Sequence, residues 1–160
     1  MPGPSVYVET SVWGSLAPRQ PRDRKQFVQR LLRLLDGVHG TCVISETVIE
    51  EIDLAPFTHR GIIKRAVEES LAIVLATTDE IEALARAYIS AKVLPPRRLS
   101  DALHVASATC FGLDFLVSWH HRHMTRPTKK LQFETVNRFH RYLRMPTICN
   151  PAEMCDELGR

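Results

Sequence analysis

Leu99-Ser100-Asp101-Ala102-Leu103-His104-Val105-Ala106-Ser107-Ala108-Thr109-Cys110-Phe111-Gly112-Leu113-Asp114-Phe115-Leu116-Val117-Ser118-Trp119-His120 is the stretch from which the rest of the chain can be read. A polar opening, Ser100-Asp101, leads into apolar residues at helical spacing: Ala102, Leu103, Val105, Ala106 and Ala108. Ser100 suits a helix N-cap, and Asp101 stands where the positive end of the helix dipole favours an anion. Gly112 is placed to close the helix, and Phe115-Leu116-Val117 follows as a short apolar strand. The segment is therefore a helix feeding a buried strand, with one carboxylate at the helix start. A carboxylate there commonly does no more than complement the dipole, so Asp101 gains meaning only from its company.

Working outward, Ser5-Val6-Tyr7-Val8 is a nearly continuous apolar run, as expected of a strand buried on both faces of a parallel sheet. A loop containing Pro18 and Pro21 follows, then Phe27, Leu31, Leu34, Leu35 and Val38 at helical spacing, ended by Gly37 and Gly40. Thr41-Cys42-Val43-Ile44 reads as the second strand, with Ser45 as cap for a helix Glu46 to Ile52 stopped by Pro56. Residues 58–70 read as a further helix with Ile62, Ile63, Ala66 and Val67 inward, and Leu71 to Leu75 as the third strand. Thr78-Asp79-Glu80 opens a long helix through Ile81, Leu84, Ala85, Tyr88 and Ile89, which Pro95-Pro96 stops. Beyond the quoted stretch, residues 128–143 look helical, basic and poorly amphipathic, and Thr147-Ile148-Cys149 forms a last strand. Strands alternating with helices predict a three-layer α/β/α domain with a mainly parallel central sheet, one domain over residues 1–160.

The chain has 160 residues, 44% of them apolar and 24% charged, an ordinary globular composition with room for a core. A net charge of +3 permits a polyanionic partner without requiring one. No run of about 18 apolar residues suggests a membrane span, and Met-Pro-Gly-Pro-Ser lacks the pattern of a signal peptide. Cys42, Cys110, Cys149 and Cys155 are widely separated without zinc-finger spacing, which points to a reducing cytoplasm.

In open α/β sheets ligands lie beyond the carboxyl ends of the strands, and three acids fall there. Glu9 ends strand one, Glu51 lies under two turns into the helix after strand two, and Asp101 opens the helix before strand four. Asp114 precedes strand four and belongs at its amino end, whereas His120 follows its carboxyl end. Carboxylates gathered in a partly desolvated pocket need a shared proton or a cation. Mg²⁺ and Mn²⁺ suit few carboxylates plus waters, and such an ion can activate water against a phosphodiester. Taken singly, Glu9 reads equally as a strand-end acid paired with an arginine, and Glu51 as part of a solvated helix face.

Val6-Tyr7-Val8-Glu9-Thr10-Ser11, Ile44-Ser45 followed by Glu51, Ser100-Asp101 through Ala106, and Leu116 through His120 together resemble the PIN-domain ribonucleases. The likeness is strongest to the VapC-type toxins of bacterial toxin–antitoxin pairs. It runs in order through nearly the whole chain, and the ending Ile148-Cys149-Asn150-Pro151-Ala152-Glu153 is similar to that of one branch. The resemblance implies an Mg²⁺- or Mn²⁺-dependent endoribonuclease with Glu9, Glu51 and Asp101 as catalytic metal ligands. It also implies an antitoxin whose tail blocks the site, and a homodimer. Two departures stand out. Most members carry Asp where this chain has Glu9, and many carry Asp or Asn where it has His120. The longer Glu9 shifts the ion outward, and His120 can ligate a softer metal or touch a phosphate; Asp114 is the substitute acid.

Thr10 and Ser11 are placed to hydrogen-bond a phosphate or a metal-bound water, and Arg97 and Arg98 to contact phosphate. Arg126, Lys129, Lys130, Arg138, Arg141 and Arg144 add a second basic group, which reads otherwise as a solvated face. Trp119, with His120, belongs to the substrate side, and Trp13 or Trp119 could stack on an unpaired base. His104 shares a helix face with Asp101 and is expected to orient rather than ligate. His120, His121 and His123 allow a zinc reading. Two rivals remain: a catalytically degenerate PIN-like scaffold binding nucleic acid or protein, and a phosphatase- or receiver-like domain. The second lacks its Asp-x-Asp, since Glu9-Thr10 supplies only a glutamate.

Overall fold

The structure is a computed structural model that describes residues 2–120 and 122–160. Its centre is a five-stranded sheet, β1 (Ser5–Val8), β2 (Thr41–Ser45), β3 (Ile73–Leu75), β4 (Phe115–Val117) and β5 (Thr147–Cys149), in the order β3-β2-β1-β4-β5. Every pairing is parallel, with Val6 opposite both Cys42 and Phe115. Val6, Tyr7 and Val8 of the central strand are fully buried, as their unbroken apolar run requires.

The helices that flank the sheet are α1 (Thr10–Gly14), α2 (Arg22–Leu34), α3 (Glu46–Asp53), α4 (Phe57–Ser70), α5 (Asp79–Ser90), α6 (Leu99–Cys110), α7 (Arg122–Thr125), α8 (Pro127–Phe139) and α9 (Pro151–Leu158). α5 packs extensively on α6, and α2 packs on α9. This is the three-layer architecture expected of a PIN-like fold. No helix among the described residues is long and apolar enough to cross a membrane.

Several local expectations are corrected. Ser100 is not the cap of α6, because a 3-10 turn over Pro96–Arg98 runs straight into the helix, with Arg98 at the cap position. Ser100 already has helical backbone, and Asp101 still lies in the first turn. Ser45 does stand at the cap of α3, but its hydroxyl makes no capping bond and faces Tyr7 instead. Val38 lies beyond α2 and is 66% exposed, while Val28 and Leu31 carry that helix's buried face. Ile62 is 46% exposed, leaving the inward side of α4 to Ile63, with Ala66 and Val67 packed beside it as expected. Leu71 is not in β3; it takes a left-handed conformation (φ 54°) that ends α4. Thr78 caps α5 as expected, accepting from the Ile81 N–H at 3.3 Å.

At the other end of α6, Gly112 adopts φ 63°, and the Leu113 N–H returns to the Ala108 carbonyl at 2.9 Å. That left-handed residue reverses the chain into β4, a conformation glycine takes without the Cβ penalty. The chain fills β1, β2 and β3 on one side and then crosses to place β4 on the far side of β1. The reversal of strand order therefore falls between β1 and β4, where a crevice opens at the strands' carboxyl ends.

Candidate metal centre

Glu9 follows β1 directly and caps α1 with extended backbone, its N–H held by the Val117 carbonyl of β4 at 3.0 Å. Its side chain is only 4% exposed. The Ser11 hydroxyl donates to Glu9 Oε2 at 2.5 Å and accepts from the Trp119 N–H at 3.0 Å, so the turns after β1 and β4 share one serine. Ser118 Oγ accepts from the His120 N–H at 2.9 Å, fixing the turn that carries the imidazole. Asp101 is delivered from the first turn of α6 and lies 3.4 Å from Arg98 Nη1. One potential ligand atom each from Glu9, Asp101 and His120 lie within 4.8 Å of one another. Glu9 is buried, Asp101 half-buried and His120 exposed, so the group opens to solvent on the imidazole side.

Glu51 lies beside this group, on the other side of a buried histidine. His104 is 1% exposed, with Nε2 at 2.5 Å from Glu51 Oε1 and 3.9 Å from Glu9 Oε1. Its Nδ1 is 2.6 Å from the Tyr7 hydroxyl, which is 2.6 Å from Ser45 Oγ. With Nε2–H donating to Glu51, Nδ1 accepts from Tyr7 and Tyr7 accepts from Ser45, a tautomer assigned from the network. The Thr10 hydroxyl also donates to Glu51 Oε1, at 2.9 Å. Burial pushes the Glu51 carboxyl up, but the hydrogen bonds from His104 and Thr10 outweigh it and hold it below the usual range. Burial raises the Tyr7 hydroxyl so far that it stays protonated throughout the physiological range. Among the described residues nothing bonds Glu51 Oε2.

The remaining expectations sort by position. Thr10 and Ser11, foreseen as phosphate contacts, are engaged in orienting Glu51 and Glu9. Asp114 lies at the amino end of β4, across the sheet from Glu9, bonded to the Ser5 N–H at 2.9 Å and to Arg144 at 2.8 Å. It is therefore outside the acidic group, because parallel strands put the two ends of β4 on opposite edges of the sheet. Trp13 is fully buried and donates to the Val8 carbonyl, which removes it from any stacking role. Trp119 is half-buried, its indole N–H on Ser15 Oγ and the Arg24 guanidinium 4.7 Å over its ring. Arg98 touches Asp101, whereas Arg97 points into a neighbouring cleft. The three-histidine zinc reading includes His121, which lies outside the described residues. A cavity of about 340 Å³ near α8 and β5, reached by Asn137 and Tyr142, includes none of Glu9, Glu51 and Asp101.

Tyr7 and Ser45 escaped the sequence reading as parts of the site. The available signal was a tyrosine in a strand buried on both faces, whose hydroxyl must find a partner.

As a test of fit, two carboxylate oxygens and one imidazole nitrogen are a donor set that divalent transition ions accept. Mg²⁺, which prefers an all-oxygen octahedron, is served less well.

No protein-family model matches the chain, and no curated protein matches it by sequence. Among solved structures it is similar to a chain of VapBC2 from Rickettsia felis bound to a DNA fragment from their promoter. The likeness has a TM-score of 0.56 at 12% identity, covering 91% of this chain and 98% of that one. It is a likeness of fold over nearly the whole length.

Proposed function

We propose that the protein is a divalent-metal-dependent endoribonuclease, the toxin of a toxin–antitoxin pair. The observation that carries this reading is the convergence of Glu9, Asp101 and His120 within 4.8 Å at the crevice between β1 and β4. Glu9 and Asp101 supply the anionic ligands and His120 the third donor. Glu51, which is not among the three grouped donors, would act on the ion's waters rather than bind it directly. A bound ion would supply Lewis acidity, activating water and neutralising charge on the phosphodiester. Around it, Ser11 fixes Glu9, and His104 with Thr10 fixes Glu51, so neither carboxylate must reorganise when charge develops. Arg98, Trp119 and His120 stand where the substrate strand would pass. Because one donor is an imidazole, Mn²⁺ is the preferred ion over Mg²⁺. The fold likeness to the Rickettsia VapBC2 complex supports an antitoxin partner; a homodimer and a cytoplasmic location are part of the same proposal.

The exposed His120 also favours a second reading, a scaffold whose site has lost its fourth acid and binds without cutting. Labelled RNA incubated with the protein, with and without Mn²⁺, separates them. Asp101→Asn is expected to abolish cleavage with a thermal midpoint at or above that of the parent, since it removes one of two neighbouring negative charges. Cleavage by that variant at the parent rate overturns the proposal.

A further inference from the structure

Next to the acidic group lies a feature of opposite charge. A cleft of about 150 Å³ beside Leu94 is walled by Arg97, Arg98, His123, Arg126 and Lys129. The walls come from three elements: the 3-10 turn before α6, the short α7, and the start of α8. Arg126 stands at the cap position of α8 with no capping side chain, so the helix adds the positive end of its dipole to the same place. Among the described residues two of the five are engaged, Arg98 with Asp101 and Lys129 with the Val93 carbonyl. Among the described residues Arg97, His123 and Arg126 have no acidic partner.

Like charges lining one cavity repel, and an anion seated among them relieves that repulsion. Guanidinium groups present paired N–H donors that match the oxygens of a phosphate. Arg98 belongs to the cleft wall and to Asp101 at once, so whatever occupies the cleft adjoins the acidic group. We propose that this cleft seats a backbone phosphate of the RNA, neighbouring the phosphodiester to be cut. The proposal rests on the nuclease reading for the identity of the polymer. Five basic side chains on three elements, adjoining through Arg98 a donor group suited to a cation, match a polyanion charged at every residue. An acidic peptide segment is the competing occupant.

The test is fluorescence anisotropy of a labelled single-stranded RNA on the full-length chain, in EDTA, over a salt series. Binding is thus read without turnover. The variant is Arg97→Gln with Arg126→Gln, both exposed, its folding checked by thermal melt. Its Kd is expected to rise about tenfold, as for loss of charge-assisted hydrogen bonds. The slope of log Kd against log salt is expected to fall by about 0.7 for one phosphate on a single strand. Arg97→Lys with Arg126→Lys should restore most of the affinity. Parent affinity and slope in the glutamine variant overturn the proposal. So does a parent that binds polyglutamate as tightly as RNA of equal charge, with the glutamine variant losing both together. Weakened RNA binding by the variant, beside a parent that cuts no RNA in Mn²⁺, upholds the cleft while removing the nuclease reading.

Discussion

Ser45, Tyr7, His104, Glu51 and Thr10 form a continuous hydrogen-bonded chain from the core to the crevice, and its innermost members are fully buried. Tyr7→Phe keeps the ring but leaves Ser45 Oγ and His104 Nδ1 without their shared partner. A cost of about 1–3 kcal/mol is expected for the desolvated groups. It should appear as a lower urea midpoint at unchanged m-value. A second residue-scale prediction concerns Asp114, whose carboxyl is held low by the Ser5 N–H, with Arg144 assisting against the effect of burial. Its folded pKa lies below its unfolded one. The stabilisation is therefore complete above the unfolded value, near pH 3.9, and is lost as pH falls through the folded value. Acid titration followed by circular dichroism should show a shallower loss of structure for Asp114→Asn than for the parent. At this scale the acids were legible in the sequence, because strand ends and helix starts are marked by local pattern. What holds them was not. Ser45 has the composition of a cap, and only the tertiary position of the Tyr7 hydroxyl diverts it.

The elements show the same division between local and distant causes. The strands were legible from their apolar runs. α6 was legible too, although it is buried almost all round and so has no polar face to mark its orientation. α1, at five residues, is too short to display a helical period. α9 carried a signal that went unused, the capping box formed by Asn150 and Glu153 with Pro151 at the first turn. Asn150 Oδ1 accepts from the Glu153 N–H at 2.8 Å, and Glu153 returns a carboxylate oxygen to the Asn150 N–H at the same distance. Asn150→Ala is expected to cost about 1 kcal/mol. For a chain of this size that is a drop of about 2–4 °C in Tm, measurable by calorimetry. Met154, Cys155 and Leu158 of α9 are buried, so the loss should be global rather than confined to the terminus.

Over the whole molecule, the site exists only as a product of the fold, since its donors come from residues 9, 101 and 120. An ion that binds this arrangement and not the unfolded chain must raise Tm by mass action, by about 2.7 kcal/mol of stability at one hundred times Kd. Mn²⁺ titration is expected to raise the melting temperature of the parent and to leave Glu9→Gln unmoved. Equal shifts in both would remove Glu9 from the ligand set. The strand order also has a bearing on synthesis. β1 lies at the centre of the sheet, and the Ser5 amide waits for an acid 109 positions further on. A nascent polypeptide halted before residue 101 leaves one edge of β1 without its β4 partner and Glu9 without Asp101 and His120. Premature termination before that point therefore yields fragments without the assembled donor group, which comes together only after the ribosome has passed residue 120.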